Sequence, residues 1–107
     1  MRVFWTAFAE RQLDDIYAYI QHYNSQSAAD IYNKIVDESA LLARFPRMWA
    51  IEPLLASYPE EYRSFIVRKH YKVVYYIEND SVIYVVAVFD CRQNPAKLSR
   101  FVGDNNN

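Results

Sequence analysis

Six side chains in the C-terminal half of the chain have the chemistry to engage an anion: Arg63, Arg68, Lys69, His70, Lys72 and Arg92. The first five fall within 62–77, a stretch without a single acid. Arg92 stands apart, just beyond the apolar run VIYVVAVF of 82–89 and inside the polar phrase Asp90-Cys91-Arg92-Gln93-Asn94. A guanidinium at the end of a rigid strand can meet an acidic or phosphate-bearing partner without first losing much side-chain freedom. The competing reading is that Arg63 and Lys72 are solvated on a sheet face and that Arg92 forms a salt bridge with Asp90 or an acid of the preceding connection. His70 lies at a turn and His22 near a helix end, where it complements the helix dipole. Neither is placed for catalysis.

Other chemistry is thinly represented. The one cysteine, Cys91, cannot make an internal disulfide or a structural zinc site, and no base for a nucleophilic thiol is identifiable. No metal or cofactor is expected. The ten tyrosines suit core and interface positions, each with a large ring and a polar tip. Base stacking by Tyr71, Tyr75 or Tyr76 is the functional alternative.

These groups sit in a chain of 107 residues, 52% hydrophobic and 23% charged, which fits one globular domain at 1–102 with a frayed end at 103–107. The net charge of −1 conceals an asymmetry. Residues 1–61 carry nine acids against five Lys/Arg, a balance of −4, and 62–107 carry four against seven, a balance of +3. The domain is therefore not a general nucleic-acid binder, although its strand region is locally basic. No apolar run is long enough to span a membrane, and MRVFWTAFAERQ carries charge where a signal sequence needs its apolar segment. The expectation is a cytoplasmic protein.

The elements that must position the cations are legible from periodicity. A short strand at Arg2–Trp5 precedes Thr6, an N-cap for a helix over 7–23 whose Ala9, Leu13, Ile16 and Ile20 share one face. Ser27 and Asp30 suggest a capping box for a second helix reaching about Arg44, with an apolar stripe of Ala28, Ile31, Tyr32, Ile35, Val36, Leu42 and Ala43. The short link between them predicts an antiparallel helix hairpin. Pro46, Pro53 and Pro59 make 45–61 an irregular connection, too apolar to be a loose linker. Three strands follow at 62–67, 71–77 and 82–89, with turns at Lys69-His70 and 78–81. The fold class is thus α+β, β-α-α-β-β-β, with the helix hairpin on a mainly antiparallel four-stranded sheet and a short C-terminal tail or helix after Pro95. Because 82–89 lacks alternation, it should be central and covered on both faces. The hairpin can cover one; the connection, the tail or another chain must cover the other.

The element order, with the phrases AERQLDDIYAYI, RFPRMW and YRSFIVRKHYKVVYYIENDSVIYVVAVFDCRQNP, resembles the RelE/ParE superfamily of toxins from bacterial type II toxin–antitoxin modules, over nearly all of 1–98. That resemblance implies a plasmid-stabilisation-type toxin neutralised by a cognate antitoxin, in a hetero-complex. It offers two modes of action. A RelE-like toxin cleaves mRNA on the ribosome, which requires a base for the 2′-hydroxyl, a cation for phosphorane-like charge and a donor for the leaving oxygen. Arg63, Lys72 and Arg92 match basic positions of that pattern, but Phe65 and Leu98 stand where a strand lysine and a tail tyrosine would help. A ParE-like toxin inhibits DNA gyrase by binding, and the ending VFDCRQNPAKL is more similar to that branch. Arg92, with Arg68 and Lys69, is then the expected contact to target or partner. A third reading keeps the fold and the antitoxin surface without toxicity.

Overall fold

The computed structural model describes residues 1–93 and 95–106, with backbone alone at 101 and 103–106. The elements are β1 (Arg2–Trp5), α1 (Ala7–Tyr23), α2 (Ser25–Ala40), β2 (Tyr62–Val67), β3 (Tyr71–Glu78), β4 (Val82–Asp90) and α3 (Ala96–Asn106), with 3-10 turns at Leu41–Ala43 and Pro53–Leu55. The sheet order is β1-β4-β3-β2. β1 pairs parallel with β4, whereas β4-β3 and β3-β2 are antiparallel. The expected α+β architecture is observed. The frayed-end expectation falls on side chains at 103–106 and on Asn107, which lie outside the described residues.

Local chemistry explains the helix boundaries. Thr6 adopts extended backbone and its hydroxyl accepts from Ala9 N at 3.1 Å, capping α1. The start of α2 differs from the sequence expectation: Asn24, not Ser27, is the cap, and its side chain accepts from Ser27 N at 3.0 Å. Asn24 also donates its backbone N–H to Ile20 O at 2.8 Å, so one residue closes α1 and opens α2. No separate turn is needed between the helices.

Two apolar clusters flank the sheet. On the helix side Ala9, Leu13, Ile35 and Leu42 meet Phe65, Val67, Tyr71, Val73, Tyr75, Ile83, Val85 and Val88. On the other side Leu55, Leu98 and Val102 cover Tyr62, Val74, Val86, Ala87 and Phe89. Burial on both faces accounts for the unbroken apolar run of β4. A register shift adds to it: Val74 pairs with Ala87 but Tyr75 with Val85, so Val86 is an extra residue and both Val86 and Ala87 point to the second face. The second face is covered by the chain's own connection and by α3, so that part of the sheet needs no partner. This corrects the sequence reading that left another chain open as its cover.

The tyrosines are also placed by register. Phe4, Tyr84, Tyr76 and Tyr62 lie directly opposite one another across all four strands, with ring centroids 6.0, 5.5 and 5.4 Å apart. Tyr71 and Tyr75 are buried on the helix side, which removes them as base-stacking platforms. The Tyr75 hydroxyl donates to Pro46 O at 2.8 Å, and burial pushes its pKa up to about 12.

Candidate functional site

One end of the sheet collects the exposed members of the six candidate side chains, Arg68, Lys69, His70 and Arg92. Val67 pairs with Tyr71, leaving Arg68, Lys69 and His70 as an exposed turn. Arg68 has φ 53° and Lys69 φ 69°, the left-handed region that long side chains rarely occupy. With a single glycine in the chain, the turn supplies this geometry from lysine and arginine instead. Lys69→Gly is therefore expected to raise stability by about 0.5–1 kcal/mol, read by urea denaturation, while removing a cation from the surface. A lower midpoint would show that the lysine side chain itself supports the turn.

The exit of β4 docks beside this turn. Tyr71 pairs with Asp90, and Cys91 N donates to His70 O at 2.7 Å. Arg92 then folds back onto Asp90. Its Nε donates to Oδ1 at 3.0 Å and its Nη2 to Oδ2 at 2.9 Å, a bidentate fork, while its backbone N–H donates to Oδ1 at 2.9 Å. The guanidinium also lies 5.9 Å from the centre of the Tyr71 ring and reaches its hydroxyl at 3.4 Å. Arg92 holds the Asp90 carboxyl below its ordinary range, and Asp90 in turn raises the arginine. The side chain nonetheless stays 56% exposed. A guanidinium is fixed in direction and still open to solvent.

The other two expected cations are turned inward. The Lys72 ammonium meets Glu52 Oε1 at 2.5 Å, with Lys72 16% and Glu52 1% exposed. Glu52 also accepts from Ser64 Oγ at 2.9 Å and from Leu54 N at 2.8 Å. Burial pushes the Glu52 carboxyl up, but Lys72, Leu54 N–H and Ser64 outweigh it and leave the pKa below its ordinary value. Arg63 donates to Trp49 O at 2.6 Å and to Glu61 at 3.2 and 3.3 Å, tying the proline-rich connection to β2. Phe65 stacks on Trp49 at 5.3 Å and Leu98 is fully buried, so both are core residues. Burial raises the Cys91 thiol, which disfavours the reactive thiolate. No group of His, Cys, Asp and Glu suited to a metal is found among the described residues.

The sequence reading missed Glu52. An acid set between Ile51 and Pro53-Leu54-Leu55, within an apolar stretch of the connection, was the available signal for a buried ion pair.

Beside Arg92 lies a cleft of about 460 Å³, between α1 and the end of β4. Its lining includes Gln12, Asp15, Ile16 and Tyr19 from α1, then Tyr71, Val88, Phe89, Asp90, Arg92 and Gln93. Gln12 Oε1 accepts from Val88 N at 2.8 Å and fixes the helix against the strand at one limit of the cleft.

With this geometry in place, similarity to known proteins can be read against it. A family model described as "ParE toxin of type II toxin-antitoxin system, parDE" matches residues 3–95. No curated protein matches the chain in sequence. Eight chains of solved structures match in fold. One, described as "Chromosomal ParDE TA system from P. aeruginosa", superposes with a TM-score of 0.69 at 18% identity, over 84% of this chain and 95% of that one. At that identity the likeness is one of fold. No helix among the described residues is long and apolar enough to cross a membrane.

Proposed function

The chain belongs to the ParE toxin family of type II toxin–antitoxin systems, and from that premise we propose that it inhibits its target by binding through the basic end of the sheet and is neutralised by a cognate antitoxin. The proposed target is DNA gyrase. The observation that carries the binding mode is the division among the cations. Lys72 and Arg63 are spent on internal partners, while Arg92, Arg68 and Lys69 face outward at one apex. A metal-independent ribonuclease would need Lys72 or Arg63 beside a scissile phosphate, together with a base and a proton donor. Here the first is locked to a carboxylate and the second to a carbonyl. An exposed, pre-oriented guanidinium flanked by two further cations suits recognition of an acidic protein surface instead.

Expression without antitoxin in a bacterial host is expected to arrest growth, and the purified protein to block supercoiling by gyrase in vitro. Intact supercoiling alongside cleaved transcripts would overturn the binding mode in favour of an endoribonuclease. Unimpaired growth at full expression would leave only an antitoxin-binding domain.

A further inference from the structure

The cleft beside Arg92 has a polarity that specifies an occupant. Its base is apolar, built from Ile16, Val88 and the Tyr71 ring. Its two walls differ in charge. The β4 wall ends in Arg92, whose Nε and Nη2 are taken by Asp90 and Tyr71 and whose Nη1 has no partner among the described residues. Arg68 and Lys69 extend that positive edge along the neighbouring turn. The α1 wall carries Asp15, which is exposed and unpaired among the described residues, with the exposed ring of Tyr19 one turn on. Asp90 adds no attraction for a cation because the guanidinium already occupies both of its oxygens.

We propose that this cleft receives an extended segment of the inhibited target protein, with one large apolar side chain seated between α1 and β4, a carboxylate turned to Arg92 and a cationic or amide group turned to Asp15. The inference rests on the target-binding reading above and adds the chemistry of what is bound. A volume of about 460 Å³ accommodates a leucine or aromatic side chain and its flanking backbone. Arg92 loses little freedom on binding, since Asp90 and Tyr71 already hold it, so its unused donors are available at low entropic cost. A nucleic acid fits less well. Its phosphates would run past Asp15 with no second cation on the α1 wall, and the apolar base would find no matching surface.

The test is selection of a random heptapeptide phage library on the full-length protein. Enrichment of peptides pairing a large apolar residue with Asp or Glu is expected. With Arg92→Ala the acidic preference should vanish, and a synthesised winning peptide should bind at least about tenfold more weakly. With Asp15→Lys, a change on an exposed helix surface that leaves the core untouched, the preference opposite the acid should move from basic to acidic. Absence of an apolar–acidic motif, or the same motif and affinity on both variants, overturns the inference. The outcome is separable from toxicity. A growth-arresting chain that selects no such motif refutes the cleft alone, whereas a chain that selects the motif but leaves growth unimpaired refutes the inhibitory reading alone.

Discussion

Replacing Glu52 by alanine is expected to destabilise the protein by about 3 kcal/mol and to lower its melting temperature by more than about 10 °C, the largest effect of any single polar substitution. The carboxylate has three partners: the Lys72 ammonium, Ser64 Oγ and Leu54 N–H. Its removal strands a cation whose side chain is only 16% exposed and leaves a hydroxyl and an amide without acceptors. Residual access to water at Lys72 places the cost near the lower end for a broken buried pair. Glu52→Gln keeps one acceptor oxygen, enough for Leu54 N–H or for Ser64 Oγ but not for both, and should cost less than alanine. The paired change Glu52→Leu with Lys72→Met should recover the part of the loss that comes from the stranded ammonium, because desolvation of both charges disappears with their attraction. It should keep the part that comes from Leu54 N–H and Ser64 Oγ, which still lack an acceptor. Urea denaturation of the four proteins checks this; a double variant no better than Glu52→Ala would show that the carboxylate acts through the backbone of 52–54 alone.

The same residue fixes a pH dependence. The folded-state pKa of Glu52 lies below its ordinary value of 4.5. The unfolded chain therefore takes up the proton first as pH falls. The contribution of Glu52 is complete above about pH 4.5 and is lost as pH drops through the lower folded value. The Glu52→Gln variant should show a shallower loss of stability across that acid range.

What was legible in the sequence follows from the range of the interactions involved. The helix hairpin, the strand sequence and the central place of 82–89 were written in local periodicity and turn residues, and each agrees with the structure. The start of α2 was misread because Asn24 serves two helices at once, which no single capping pattern describes. Register was beyond reach. The shift between Val74 and Tyr75 decides that Val86 and Ala87 share a face, and it exists only in the pairing of β3 with β4. The inward-turned cations were hidden for a similar reason. Lys72 and Glu52 are 20 positions apart and meet only because the connection folds back along the edge of β2, with Glu52 N bonded to Tyr62 O and Ser64 N to Ala50 O. By contrast Asp90 and Arg92 are two positions apart, so their ion pair was among the readings available from the start.

Arg92→Ala is expected to reduce growth arrest by orders of magnitude in colony counts while leaving the melting curve close to that of the parent. The two halves of that expectation have separate causes. The guanidinium is solvent-open and its partner Asp90 is part-exposed at the sheet end, so losing their pair exposes no buried charge. Binding is different, because an interfacial arginine held in direction can make charge-assisted hydrogen bonds whose loss weakens association at least tenfold, by about 1.5–3 kcal/mol per contact. Arg92→Lys then separates charge from geometry. A lysine keeps the positive charge but cannot form the fork to both Asp90 oxygens or lie flat over Tyr71, so it should restore only part of the toxicity. Lys72→Ala gives the opposite pattern. Toxicity should fall only together with the melting temperature, because an unpaired Glu52 carboxylate remains buried at 1% exposure. Full toxicity in Arg92→Ala would remove the sheet end from the target interface. Lost toxicity in a Lys72→Ala protein that melts normally would instead restore Lys72 as a participant in chemistry, and with it the ribonuclease mechanism. The two cations therefore test the two mechanisms against each other, provided that each growth assay is paired with a melting curve of the same variant.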